Sequence, residues 1–235
     1  MKCIALDFDG TLTEKDNKIN LEAIWSASMI ERMGIQVILV SGRSSQEMFF
    51  LAKHTGLSPY VVGENGGTIQ TSPSTIKLLA SKEKPSMAFE YLSKNLDNVE
   101  ILDTFPRHTE IVMKRTFDIE AGKKLLEEKN MDVDLVDSKY SFHITEKNIN
   151  KSTGFKKIID ELGLKANECI AIGDSETDMP LFEMCGYSIA VQNASETVKK
   201  TATHVTKFSR GKGTVEALQH VADKFLKINL DDRQY

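Results

Sequence analysis

Residues 1–13 read MKCIALDFDGTLT. The apolar run Cys3-Ile4-Ala5-Leu6 stops at Asp7, a second carboxylate follows at Asp9, and Gly10 and Thr11 come directly after. An apolar run bounded by Asp and Gly reads as a short buried strand feeding a turn. With the backbone still extended there, residues two apart share a face, so Asp7 and Asp9 point the same way. Like charges so close repel, which calls for a metal ion or a phosphate-binding cation between or beside them.

The same plan recurs along the chain. Apolar runs at 37–40, 60–62, 169–172 and 187–191 are each followed by polar or glycine-rich residues. Between them lie helical patterns. Leu21, Ile24, Trp25, Met29 and Met33 keep three- and four-residue spacing with Gly34 as the stop, and Ser44 with Glu47 fits a capping box whose helix runs to Thr55 and ends at Gly56. Further helices are expected over 152–162 and 214–227. Strands alternating with helices predict an α/β fold, a parallel sheet covered on both faces.

The middle of the chain departs from that rhythm. Over 82–150 the pattern predicts a helix (86–95), two strands (99–104, 109–114), a second helix (119–129) and two more strands (133–136, 140–145). This αββαββ order describes a small antiparallel sheet with helices on one side, an α+β module inserted into the outer domain. The expected division is 1–81 and 151–235 for the outer core and 82–150 for the insertion, with SKEKPS and EKNINKS as linkers.

Bulk composition narrows the function classes. At 235 residues, with 40% hydrophobic and 27% charged residues, the chain reads as an ordinary globular protein. A net charge of -4 without a long basic run gives no footprint for nucleic acid. No apolar stretch approaches a membrane span and no signal peptide precedes Asp7, so a cytoplasmic protein is expected. Cys3, Cys169 and Cys185 are too scattered for a disulfide framework and read as free thiols. An oligomer is possible but nothing indicates one.

In an open parallel sheet, ligands bind beyond the carboxyl ends of the strands. There the sequence places DFDGT, then Ser41-Gly42-Arg43, then GENGG (63–67), then GDSETD (173–178), with Lys151 opening the helix before the fourth strand. Together these describe a phosphate and magnesium site. Magnesium takes a few carboxylates and keeps several waters, and Asp7, Asp9, Asp174 and Asp178 can supply them. Ser41, backbone N–H groups beside Gly10 and Gly42, and Lys151 can hold phosphate oxygens.

DFDGT, Ser41 after a strand, Lys151 and GDSETD resemble, in order and spacing, the four motifs of the haloacid dehalogenase superfamily. GENGG with an insertion behind it is similar to the Cof-type branch, and the short insertion to archaeal-type phosphoglycolate phosphatases and related sugar phosphatases. The resemblance spans nearly the whole chain and implies a Rossmann-like core with a C2-type cap. It implies that Asp7 is a nucleophile forming an aspartyl-phosphate and that Asp9 is the acid and then the base. Ser41, Gly42 and Lys151 would hold the phosphoryl group. Mg2+ would be held by Asp7, the backbone carbonyl of Asp9, Asp174 and Asp178. The implied substrate is a small phosphate monoester, 2-phosphoglycolate foremost; a sugar phosphatase or a phosphomannomutase-like transferase shares the same core. Relatives often carry Asn at the position of Thr177, which keeps a hydroxyl but loses an amide, and Gly at that of Ser152.

Plainer readings stand beside these. DxDG alone is more often a turn than a catalytic pair. Ser44 reads as a helix cap, and Arg43 as an ion-pair partner or a substrate contact. Gly66 and Gly67 read as backbone hinges of positive φ, with Glu64 and Asn65 lining the crevice or satisfying loop amides. Arg107, His108 and His143 either reach a substrate carboxylate or are exposed strand-end residues. His54, His204 and His220 lack Cys or His partners for a transition metal, Met48 and Phe49 read as core, and NLDDRQY as a frayed tail. The competing class is a non-catalytic magnesium- and phosphate-binding module, on which phosphate at Asp7 would persist.

Overall fold

The structure, a computed structural model, describes residues 1–228 and 230. The tail reading for 229–235 therefore lies outside the described residues except at Leu230, which is buried against the core.

The chain starts with β1 (Cys3–Leu6), α1 (Leu21–Arg32), β2 (Gln36–Val40), α2 (Ser45–Thr55) and β3 (Val61–Gly63). A hairpin, β4 (Thr68–Ser72) and β5 (Thr75–Leu78), follows, then α3 (Glu83–Asn95), β6 (Ile111–Met113), α4 (Ile119–Glu128), β7 (Val133–Asp137) and β8 (Phe142–Glu146). The chain continues through α5 (Lys151–Glu161), β9 (Cys169–Gly173), α6 (Met179–Met184), β10 (Tyr187–Ala190), α7 (Glu196–Thr201), β11 (His204–Val205) and α8 (Arg210–Val221).

Eight strands form the large sheet in the order β11-β10-β9-β1-β2-β3-β4-β5. β1 lies between β2 and β9, parallel to both, with Ile4 opposite Val37 on one side and Ile170 on the other. Its alternation buries both faces. Ile4 and Leu6 join the core under α1, α2 and α8, whereas Cys3 and Ala5 join the one under α5, α6 and α7. Successive strands run outward from β1 in one direction and from β9 in the other. The order reverses between those two strands, and an open α/β sheet forms its ligand crevice at such a reversal.

Local chemistry fixes the helix starts. The Asn20 side chain accepts from the Ala23 N–H to open α1, Ser44 and Glu47 form the expected capping box on α2, and Asn150 accepts from the Ser152 and Thr153 N–H groups to open α5. Gly56 closes α2 in the left-handed conformation.

The large sheet is not wholly parallel. β4 and β5 pair antiparallel at its edge, a hairpin absent from the expected plan. The expected linker SKEKPS is largely the first turn of α3.

The second sheet is antiparallel, in the order β6-β8-β7, with a core of its own that includes Leu92, Met113, Leu126 and Ile144. It has one strand fewer than the αββαββ pattern predicts. The 99–104 segment makes only a single bridge, Ile101 to Met113. Pro106 interrupts the chain beyond it, and the His108 and Thr109 N–H groups donate to the Glu64 carboxylate rather than to a sheet partner.

Candidate active site

The Asp7 N–H donates to the Ile172 carbonyl at 2.9 Å, so the β1–β9 ladder continues one residue past β1 and the carboxylate is still on an extended backbone. Gly10 then turns the chain at φ 82°, and a Cβ there would lie 2.6 Å from Asp174 Oδ2. Only glycine meets both demands. Asp7 is buried, with Oδ1 accepting from Lys151 Nζ at 2.6 Å and Oδ2 from Thr11 Oγ1 at 2.8 Å.

Lys151 reaches Asp7 because Asn150 caps α5 and because α5 packs closely on the strand beside it. A Cβ at Gly154 would lie 2.5 Å from Val62 Cγ1. The buried ammonium also donates to Asp178 Oδ1 at 2.7 Å. Burial works against its charge, but Asp178 and Asp7 outweigh that cost and raise its pKa.

Asp178 is fully buried, and its second oxygen accepts from the Asp174 N–H, the Ser175 N–H and Ser175 Oγ. Thr177 Oγ1 lies 2.7 Å from Ser175 Oγ, so its hydroxyl supports this loop. Asp174 Oδ2 accepts from Asn193 Nδ2 at 2.8 Å, and the same amide group donates to the Gly10 carbonyl at 3.0 Å.

Oxygens of Asp7, Asp174 and Asp178 lie within 4.8 Å of one another. Three buried carboxylates share one buried lysine, with Lys139 Nζ at the edge 3.6 Å from Asp174 Oδ2, and leave an excess of negative charge. Burial first, and then the charge of Asp178, push the Asp174 carboxyl up to about 6 and raise Asp7 well above the usual carboxylate range. Asp174 Oδ1 is buried without a hydrogen-bond partner, and such an atom is costly to leave unmatched. The donor set is all oxygen, as magnesium requires. The residues fit a divalent cation.

The Asp9 carboxylate is outside this group. Arg43 holds it through Nε at 2.9 Å and Nη2 at 2.8 Å, with the guanidinium 5.0 Å from the Phe8 ring centre. Arg43 is thus an ion-pair partner, and it also approaches Glu47. Each of the two carboxylates in DFD has its own cation rather than sharing one. Ser41 is buried, and its Oγ accepts from the Arg43 N–H at 3.1 Å.

A cavity of about 430 Å³ opens between the two sheets. Asp7, Asp9, Gly42, Lys151, Ser175 and Thr177 border it on the large-sheet side, and Phe105, Arg107, Tyr140 and His143 on the other. Ser41, Asp174 and Asp178 are not on its wall.

The two sides are joined by a buried polar network. Glu110, fully buried, accepts from Asn65 Nδ2 at 3.1 Å and Arg107 Nη1 at 3.0 Å, with His143 Nδ1 at 2.9 Å. Burial alone would raise the Glu110 carboxyl; His143 first, then Arg107 and Asn65, outweigh it and lower the pKa. Glu64, also fully buried, takes Thr109 Oγ1 at 2.8 Å besides its two N–H donors.

Within GENGG, Gly66 takes φ 102° as expected of a hinge glycine. Gly67 sits at φ -70°, so its reason differs: a Cβ there would lie 2.1 Å from Thr109 Oγ1. Arg107 and His143 are not exposed strand-end residues; both are tied to Glu110. His108 does not border the cavity.

Asn193, the Thr11 hydroxyl and Glu110 are not among the site residues expected from the sequence; Asn65 and His143 are, and both border the cavity, but their shared bond to Glu110 is not. Asn193 has a legible position: it follows the apolar run at 187–191, a strand end like those that bear DFDGT and GDSETD.

The model of the haloacid dehalogenase-like hydrolases matches residues 4–130 and 112–218. The chain belongs to the haloacid dehalogenase-like hydrolases. That membership together with relatives named phosphoglycolate phosphatase supports the enzyme class, phosphoric monoester hydrolase, over the non-catalytic module. A phosphoglycolate phosphatase of Nitrosopumilus maritimus is 42% identical over 94% of this chain and 96% of its own. One from Archaeoglobus fulgidus is 39% identical over 93% and 96%. A solved structure from Thermoplasma acidophilum superposes with a TM-score of 0.85 at 28% identity, covering 94% of this chain and 97% of its own. Among the described residues, no helix of this haloacid dehalogenase-like hydrolase is long and apolar enough to cross a membrane.

Proposed function

We propose that the protein hydrolyses a small phosphate monoester, 2-phosphoglycolate foremost, through an aspartyl-phosphate on Asp7, with residues 82–150 acting as a cap over the 1–81 and 151–235 core. The observation that carries this reading is Asp7 at the sheet's reversal point, hydrogen-bonded to buried Lys151 and bordering a cavity that Asp9 and Gly42 share. Relatives named phosphoglycolate phosphatase support the choice of substrate.

In the first step an Asp7 oxygen bonds to phosphorus as the bond to the leaving oxygen breaks, and Asp9 gives that oxygen its proton. Asp9 must release one oxygen from Arg43 to do so. In the second step Asp9 takes a proton from water, the water oxygen bonds to phosphorus, and the bond to Asp7 breaks to free inorganic phosphate. Lys151 offsets the charge of Asp7 as an anionic substrate approaches, and Ser41 and the Gly42 backbone hold phosphoryl oxygens. A divalent ion such as Mg2+, held by Asp7, Asp174, Asp178 and the Asp9 carbonyl, would supply charge neutralisation at the phosphoryl group. The cap excludes water from the reacting atoms.

One observation favours a sugar phosphate as a second reading. The cavity, about 430 Å³ and bordered by Ser138, Tyr140, Ser141 and Asn65, has room and hydroxyl partners beyond what a two-carbon acid needs.

A panel of small monoesters assayed with magnesium and with EDTA tests both readings. Phosphate release from 2-phosphoglycolate above all others is expected. No release from any substrate, or full activity in Asp7→Asn, would overturn the mechanism.

A further inference from the structure

The peptide joining Gly42 to Arg43 is held at both ends. Its carbonyl accepts from Arg107 Nη1 at 2.6 Å, and its N–H donates to Ser41 Oγ at 3.1 Å. The Arg107 side chain is only 9% exposed, and its charge is met by Glu110. Arg107 precedes β6 in the inserted segment, whereas Ser41 and Gly42 follow β2 in the large sheet.

We propose that Arg107 is a positioning residue that sets the orientation of the Gly42–Arg43 peptide and thereby aims the Ser41 hydroxyl at the phosphoryl group. A peptide is planar, so fixing its carbonyl fixes its N–H. The Arg43 N–H occupies a lone pair of Ser41 Oγ and leaves the Ser41 O–H to donate. Docking of the inserted segment is therefore a condition for the phosphate loop to be in register.

The anchor is rigid. Glu110 is gripped by Asn65 and His143 as well as by Arg107, and the next turn of chain is tied to Glu64 through Thr109. Arg107 thus transmits the position of the whole network, because its Nη1 donates to both the Gly42 carbonyl and the Glu110 carboxylate.

This inference rests on the proposed role of Ser41 in phosphate binding. Its test is a double-mutant cycle of Arg107→Gln and Ser41→Ala, assayed with p-nitrophenyl phosphate and with 2-phosphoglycolate. Because Arg107→Gln leaves Glu110 short of a cation, Arg107→Lys and the pair Arg107→Gln/Glu110→Gln are assayed beside it, each checked for an unchanged melting profile. Misplacement of a substrate-holding group costs about 10²-fold. The expected result is a loss of that order in kcat/KM for both substrates in Arg107→Gln, shrinking to less than about 3-fold in the Ser41→Ala background. Losses that multiply in full would overturn the proposal. So would a loss confined to KM for 2-phosphoglycolate with p-nitrophenyl phosphate untouched, which would make Arg107 a reader of the organic group. Wild-type protein inactive on both substrates would refute the proposed function instead.

Discussion

Raising the pH of the metal-free protein from 5 to 7 is expected to destabilise it, and adding magnesium is expected to reverse the loss. Asp174 and Asp7, both raised by burial and by the Asp178 charge, contribute, and the part due to Asp174 can be sized. Its carboxyl is nearly completely buried, and burial with the nearby Asp178 charge lifts it from 3.8 to about 6. A carboxyl raised in the folded state binds its proton more tightly there than in the unfolded chain. The stabilisation is complete below 3.8 and disappears as pH rises through about 6. Two units correspond to about 3 kcal/mol in all, of which about 1 kcal/mol falls between pH 5 and 7. For a chain of this length that is a fall in Tm of about 2–4 °C.

A bound cation replaces the proton on the same oxygens, so its affinity is expected to rise with pH as Asp174 titrates through about 6, with a further rise as Asp7 loses its proton. Glu110 does not blur the window. Its pKa is lowered by His143 and its other partners against the effect of burial, so its stabilisation is lost only as pH falls below about 4.5. Thermal unfolding in EDTA and in magnesium at pH 5, 6 and 7, on wild type and Asp174→Asn, checks the reasoning. A magnesium-induced rise in Tm that is the same at pH 5 and 7, or an EDTA profile unchanged in Asp174→Asn, would refute it.

Lys151→Met leaves Asp7 and Asp178 facing each other without their shared cation, and is expected to cost about 3–5 kcal/mol in the metal-free protein. Denaturant unfolding measures this, and partial recovery in magnesium is expected. Asn193→Ala frees Asp174 from its tie to the Gly10 carbonyl and is expected to weaken magnesium binding by about 10–100-fold, read by calorimetric titration. Gly66→Ala places a Cβ 1.8 Å from the Asn150 carbonyl at φ 102°; a loss of about 3 kcal/mol is expected, and a change below about 1 kcal/mol would mean the GENGG turn gives way freely.

The elements that a pattern could reveal are those whose own residues carry the reason for them. β1 alternates between two buried faces, and α2 has both its cap and its stop in the sequence, so both emerge where expected. β5 is mostly exposed along its length, leaving no apolar alternation to read, and the antiparallel edge of the large sheet is silent for that reason. The 99–104 segment fails in the opposite direction. Its apolar residues look like a strand, but the backbone just beyond is committed to Glu64, a residue more than forty positions upstream.

The same distinction separates the parts of the site. Carboxylates at strand ends are legible because the sheet itself brings the ends of β1 and β9 together: the register that sets Leu6 opposite Ile172 also sets Asp7 beside the loop bearing Asp174. The cations and amides that complete the site arrive from elsewhere. Lys151 comes from a helix packed on β3, Asn193 from the loop after β10, and Arg107 and His143 from another sheet. A long, flexible or branched donor has no spacing rule that ties it to an acceptor a hundred residues away, so Lys151 is legible as an ammonium opening the helix before the fourth strand, but its two partners, Asp7 and Asp178, are not. Glu110 shows the consequence. In the sequence it is one glutamate among many, and only the placement of Asn65, Arg107 and His143 around it makes a fully buried carboxylate tolerable.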